Sequence, residues 1–496
     1  MRRTALLALL LTAACGSTVP LNQQASVSGG GLGDGLSGTT TAGAPETSSP
    51  SYDGGGTTTG GGSTGGGGST TGTSGSSTTG VTPTTVGGPV SSAPVVAADR
   101  TPVKIGLLVT KDLGPATKAL GVDGLSTGDG TAQAKAAVGI LNARGGLGGH
   151  PVTPVIFEQD PTGDSTTQYQ AACSMFFDDN KVRAVLAWGI LGQVQACAEK
   201  HGVPFVTAGN RTTSAAEIAK HATTVIPSQW ALDRMVPVEI ASLKAQGWFT
   251  PASATEQIKV GLLYNEDPDF AVAPSLVSKA LGTVGLKLSA QQSMPGTDDT
   301  SKVTSATSAG SNASLKFASQ GVNRVITVDK SGQALAYFAI AAQSQGYYPL
   351  LAVTSLELPS ALRTVLSARQ LQGARGIGWI PSTDVPAAKD PNRSSNLTAC
   401  VKAMTGAQQD MGLSATRLSA LGICDSVLVL GAAWKDPSLR TSALLSGLRQ
   451  VGTSYPSVTA LADDFSTHRD GASAYRALRY DSGCDCFAYS GPTQRT

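Results

Sequence analysis

VKIGLLV (Val103 to Val109), TAQAKAAVGILNAR (Thr131 to Arg144) and VTPVIFEQ (Val152 to Gln159) set the architecture. The first and third are short apolar runs of strand length, while the second repeats its apolar residues at helical spacing. GGLGG after Arg144 ends that helix, as glycines past a last turn do. The alternation continues with a helix from about Thr166 to Asp179, RAVLAWG (Arg183 to Gly189), a helix from Gly192 to His201, and PFVTAG (Pro204 to Gly209). Strand and helix in turn predict a parallel sheet covered on both faces.

A second series follows Val225. It runs through a helix from Ala231 to Gln246, VGLLYN (Val260 to Asn265), a helix near Pro274 to Leu281, LKLSAQ (Leu286 to Gln291) and a helix around Leu315. VNRVITVD (Val322 to Asp329), a helix from Gln333 to Gln345 and LLAVTS (Leu350 to Ser355) complete it. Two α/β lobes of similar design are therefore expected. Beyond Arg375 the order loosens into a strand-like run (Gly376 to Ile380), two long helices holding Cys400 and Cys424, and CFAYSG (Cys486 to Gly491).

Upstream the composition changes. Of the chain's 60 glycines, 23 fall between Gly16 and Arg100, around GGGTTTGGGSTGGGGSTTGTSGSS. Such a stretch cannot bury enough apolar surface to offset its ordering entropy, so residues 16–101 read as a disordered tether. Before it, MRRTALLALLLTAAC has the charged, apolar and small-residue regions of a secretory signal over residues 1–15. That apolar run is too short for a permanent membrane span, and no other segment approaches 18 uninterrupted apolar residues. A net charge of +2 with 14% charged residues offers no basic field for nucleic acid.

Thr12-Ala13-Ala14-Cys15 resembles a bacterial lipobox, which makes Cys15 the lipidated first residue of the mature chain; plain cleavage after Ala14 is the alternative. Setting Cys15 aside leaves six of seven cysteines in an oxidising compartment, with 15 possible pairings. Equal separations suggest Cys173 with Cys197 and Cys400 with Cys424, each bridging successive helices, while Cys484 and Cys486 close a small ring or stay reduced. Four histidines, none near a second cysteine at zinc spacing, give no metal site.

The segment ILNARGGLGGHPVTPVIFEQDPTGD (Ile140 to Asp164) resembles the first-lobe signature of the type I periplasmic binding proteins of the branched-chain amino acid group. Its marks are Asn142, Gly145, Gly146 and Gly149 at the helix end, then a strand and Asp160-Pro161. VRAVLAWG, GVPFVTAG, IPSQWALD (Ile226 to Asp233) and GLLYNEDPDF (Gly261 to Phe270) follow in the family's order, so the resemblance covers about Val103 to Gly491. It implies two Rossmann-like lobes with parallel sheets, joined by three hinge strands near Ile226, Gly378 and Val458. Lobe 1 would hold residues 102–225 and 379–457, and lobe 2 residues 226–378 and 458–496. A small solute would sit between the lobes and be delivered to the permease subunits of an ABC transporter. The resemblance further implies a monomer without cofactor, held by its lipid alone on the extracytoplasmic face of the membrane. A ligand-sensing receptor of the same fold, without transport, is the other reading.

Strand ends supply the binding residues that the resemblance implies. In lobe 1 these are Trp188 with Gly189, in a loop lacking hydroxyls, and Gly209, Asn210 and Arg211, whose guanidinium suits an anionic group. In lobe 2 they are Trp230, Phe270 where a tyrosine is common, Lys330 where an aromatic is expected, and Glu357 near the acidic position. The tryptophans and Phe270 favour a flat or apolar solute over an α-amino acid. No catalytic site is expected. Gly124-Leu125-Ser126-Thr127-Gly128 fits Gly-x-Ser-x-Gly but lacks a strand directly before the serine. Glu158 and Asp160 read as solvated loop carboxylates, and no Gly-x-x-x-x-Gly-Lys-Ser/Thr loop exists.

Overall fold

The computed structural model describes residues 101–112, 114–115, 126–160, 163–188, 192–209, 212–296, 302–329 and 332–496. The expected signal segment, Cys15 and the glycine-rich stretch lie outside them, as do Gly189, Asn210, Arg211 and Lys330 of the expected site. All described residues fall within one compact unit.

The first sheet holds β1 (Val103–Thr110), β2 (Val152–Gln159), β3 (Val185–Trp188), β4 (Phe205–Ala208) and β5 (Thr224–Val225), all parallel in the order β2-β1-β3-β4-β5. Parallel neighbours need crossovers. Here they contain α1 (Gly130–Ala143), α2 (Ser165–Cys173), α3 (Gly192–Lys200) and α4 (Ala215–Lys220). Side-chain caps start several of these helices: Asp129 accepts from the Ala132 amide at 2.9 Å and Asp164 from the Thr167 amide at 2.7 Å. The helix expected to reach Asp179 leaves α geometry after Cys173 and widens into a π-helical turn over Ser174–Asp179.

The second sheet repeats the same order. Its parallel part is β7-β6-β8-β9-β10, from β6 (Val260–Asn265), β7 (Leu288–Met294), β8 (Arg324–Val328), β9 (Leu350–Thr354) and β10 (Arg375–Gly378). An antiparallel hairpin, β11 (Ala474–Asp481) and β12 (Cys486–Arg495), extends it beyond β10. Helices α5 (Leu232–Ala245), α6 (Ala273–Thr283), α7 (Val303–Ser319) and α8 (Gln333–Ser344) cover its faces.

The tail forms α9 (Ser395–Gly406), α10 (Ser414–Ala433) and α11 (Thr441–Val451), so a third helix joins the two expected there. α10 packs against α1, β3 and β4 of the first lobe. By length and composition α10 could cross a membrane, but 78% of its apolar window is buried inside the protein, which marks it as a core helix. Leu421, Val427 and Leu141 of this core are at most 2% exposed, and each such side chain contributes about 1.5–3 kcal/mol by leaving water.

Cys400 and Cys424 join α9 to α10 as expected, and Cys484 and Cys486 also form a disulfide. The Cys173–Cys197 pairing is corrected: both are thiols, facing each other from α2 and α3 within hydrogen-bonding reach. Burial first, then the neighbouring Cys197, pushes the Cys173 thiol up to about 12. The thiolate form of Cys173 is therefore scarce.

Candidate functional site

Both parallel sheets have the strand order whose switch point, between the first and third strands of the series, opens a crevice at the carboxyl ends. Between the two lobes the chain passes near 226–231, 379–380 and 458–463. Backbone pairings knit these passages together: the Ile226 amide donates to the Arg469 carbonyl at 2.8 Å, the Ala472 amide to Gln229 at 3.1 Å, and the Leu461 amide to Trp379 at 2.9 Å. Asp470 then caps α5, accepting from the Ala231 amide at 2.7 Å and pairing with Arg234 at 2.7 Å.

Asp425, in the middle of the apolar α10, gathers two of these passages. Its carboxylate accepts from Ser228 Oγ at 2.5 Å, Tyr455 OH at 2.7 Å, Thr459 Oγ1 at 2.8 Å and the Val458 amide at 3.0 Å. A buried carboxylate is tolerated only with such company. Asp463 lies near it, and burial first, then the charge of Asp425, raises its carboxyl well above the usual range despite the Ser457 hydroxyl. Burial and the neighbouring charge thus favour the protonated form of Asp463.

Above Asp425 lies the carboxyl end of the first sheet. The indole of Trp188 rests against Gly209 and Gly422, where a Cβ would come within 2.8 Å and 2.9 Å of its ring. Only glycine admits the ring this closely, which fixes its plane over the end of β4 and the middle of α10. Beside it a cavity of about 10 Å³ is bordered by Thr207, Ser228, Ser426 and Thr459 hydroxyl residues and by Leu418 and Ile380. That volume holds about one water, too little for an organic solute in this conformation. Hydroxyl groups, a tryptophan face and one fully engaged carboxylate can bind and orient a solute.

The second sheet ends differently. Asn265 at the end of β6 donates to Asp329 after β8 at 3.2 Å, spanning the switch point, and Asp329 also accepts from the Ala334 amide at 2.8 Å at the start of α8. Glu357 accepts from the Thr354 amide at 2.6 Å and its hydroxyl at 2.7 Å, closing its own turn. Burial, then Glu239 and later Asp329, hold the Glu357 carboxyl well above its ordinary value. Neither carboxylate oxygen of Glu239 on α5 has a hydrogen-bond partner, and burial pushes it up to about 8. Asp384 accepts from Ser355 Oγ at 2.9 Å and Tyr489 OH at 2.5 Å, yet burial still lifts it to about 7.

The expected site residues thus separate. The Trp188 ring packs on Gly209, and Gly209 borders the cavity. Trp230 is 1% exposed, stacked on Trp379 at 5.3 Å with Tyr475 edge-on, and Phe270 is buried beside α6. Glu357 is committed to its turn. Thr207, Ser228, Leu418, Gly422, Asp425 and Thr459 border the cavity without having been singled out from the sequence. One signal existed: an aspartate inside SALGICDSVLVLGAA is a charge in an otherwise apolar helix. Among the described residues no cluster of His, Cys, Asp and Glu could hold a metal ion.

This geometry, a pair of lobes with matching sheets around a small polar cavity, is that of a solute-binding protein. The chain belongs to the periplasmic binding protein family, which matches residues 102–485. Its members are non-enzymatic. No curated protein matches the sequence. A substrate-binding periplasmic protein from Ralstonia solanacearum is similar in structure, with a TM-score of 0.54, 16% identity, and coverage of 78% of this chain and 100% of that one. A solute binding protein from R. palustris in complex with 4-hydroxybenzoate has a TM-score of 0.55 at 13% identity, covering 79% and 97%. A substrate-binding protein from Desulfitobacterium hafniense in complex with Leu has a TM-score of 0.52 at 14% identity, covering 78% and 100%.

Proposed function

We propose that the protein captures a small organic solute, amino-acid-like, amide or carboxylate, between its lobes and delivers it to the permease of an ABC transporter. It does so as a monomer, from the extracytoplasmic face of the membrane, on a lipid attached to Cys15. The observation that carries this reading is the hydroxyl-lined cavity at which the first sheet's carboxyl end meets the passages between lobes, bordered by Gly209 and Gly422, on which the Trp188 ring rests. Solutes carried by proteins of the same fold, 4-hydroxybenzoate and Leu, share a carboxylate. In this protein Arg211, with Asn210, takes that group, and Trp188 stacks on a flat or apolar body. Gly189 and Lys330 complete the two loops, while Trp230, Phe270 and Glu357 support the second lobe's face from behind. Closure is a hinge motion whose population the solute shifts by touching both lobes.

A thermal-shift screen of the full chain against amino acids, amides, short carboxylates and aromatic acids tests this. A solute at 100 times its dissociation constant stabilises by about 2.7 kcal/mol. Trp188→Ala and Arg211→Ala are each expected to weaken the hit about tenfold or more, the loss of one stacking or charge-assisted contact. A hit that neither variant weakens overturns the site. Cys15→Ser is expected to move the protein from the membrane fraction to the medium.

A further inference from the structure

The two disulfides occupy opposite environments. Cys400 and Cys424 are both 0% exposed, deep between α9 and α10, and close a loop across 24 positions. Cys484 and Cys486 are two apart, at the turn between β11 and β12, with Cys484 exposed and Cys486 only 8% exposed. Asp485 between them is left-handed, with φ +50°. It is held there by Arg363, whose Nε donates to its carboxylate at 2.5 Å, and by the Tyr480 hydroxyl. Lys389 brings its ammonium to 3.4 Å from Cys486 Sγ. A cavity of about 340 Å³ opens beside the pair, bordered by Arg363 and Pro386 on one side and Ser414 and Arg417 on the other.

We propose that Cys484–Cys486 is a thiol-exchange site, reduced by an external dithiol while Cys400–Cys424 stays closed. The incoming thiolate attacks Cys484 Sγ, because Cys484 is the exposed half of the bond and Cys486 is buried. The new bond joins the dithiol to Cys484. The old bond breaks with its electron pair on Cys486 Sγ, beside the Lys389 ammonium, which favours negative charge on the departing sulfur. The second thiol of the reductant, as thiolate, then attacks the mixed disulfide. It leaves as a cyclic disulfide and releases Cys484 as thiolate. Both protein thiolates take the two protons given up by the dithiol, so two electrons pass from reductant to protein. The short loop makes the reverse closure equally direct. Reoxidation needs only an acceptor disulfide of the same class, and the site is thereby a reversible one.

The experiment uses the full oxidised chain, its free thiols first blocked with N-ethylmaleimide. Dithiothreitol is added under native conditions, aliquots are alkylated with iodoacetamide, and peptides are mapped by mass spectrometry. Labelling of Cys484 and Cys486 is expected about tenfold or more faster than labelling of Cys400 and Cys424, since access to a sulfur governs exchange. With glutathione as the monothiol, the trapped adduct is expected on Cys484. Lys389→Gln, on the surface, is expected to slow reduction about threefold or more at an unchanged melting temperature. Equal reduction rates for the two disulfides, an adduct on Cys486, or an unchanged rate in Lys389→Gln would each overturn the proposal.

Discussion

The two lobes share one strand order and end it with opposite electrostatics. In the first, Asp425 is surrounded by donors from Ser228, Tyr455, Val458 and Thr459. In the second, Glu239 has none, and Asp384 and Glu357 are held above their usual range by burial. A carboxylate that gathers hydrogen bonds serves as a structural knot. One that lacks them is stable only with its proton on. The topology is therefore silent about charge, and the side chains at the strand ends set what each lobe tolerates.

That contrast can be broken most directly at Asp425. Asp425→Ala leaves several buried donors without an acceptor, and a loss of at least about 3 kcal/mol in denaturant unfolding is expected; a loss below about 1 kcal/mol would mean that the passages between lobes are held by something else. Glu239→Gln should act in the opposite direction. Its folded value of about 8 exceeds the ordinary 4.5, so the wild-type fold is favoured at low pH and loses stability as pH rises between those values. The amide removes this loss, and a gain on the order of 1–3 kcal/mol at about pH 8.5 with no gain at about pH 4 is expected. A gain of the same size at both pH values would show that packing, not the proton, is responsible.

Gly422→Ala sharpens the comparison on the first lobe's side. An added Cβ at 2.9 Å from the Trp188 ring forces the indole to shift, with about 1–3 kcal/mol of destabilisation and a weaker solute response in the thermal-shift screen. If the melting temperature holds and the solute response is unchanged, the ring is not fixed by this glycine. The smallest effect belongs to His221, which pairs with Glu199 at 2.8 Å and Glu217 at 3.1 Å. Partial burial disfavours its charge, but the two carboxylates outweigh that and raise its value above 6.5. His221→Gln should cost up to about 1 kcal/mol at about pH 5.5. That cost should fade as pH rises through the folded value, and its persistence at about pH 9 would count against the ion pairs.

Much of the fold was legible. The apolar runs at Val103, Val260 and Leu350 became strands buried on both faces, which admit little but apolar residues, and the run at Val152 became the half-exposed edge strand β2. β11 went unread because YRALRYD mixes charged and apolar residues on an edge hairpin, half of it facing solvent. The site was less legible. Trp188 and Gly209 could be placed at strand ends by counting along the chain. Trp230 and Phe270 sit at comparable positions, yet their rings turn inward against Trp379 and α6. Spacing gives a residue's place on an element but not which neighbour its ring meets.

The sequence by itself determined the alternation of elements and the glycine-rich composition upstream of them, both of which rest on local pattern or composition. Only the tertiary structure decided that Cys173 and Cys197 remain thiols, that Asp425 ties the passages between lobes together, and that Glu239 lies without a partner. Those outcomes depend on distances between residues far apart in the chain, and in a low-dielectric interior such distances fix where protons and charges can rest.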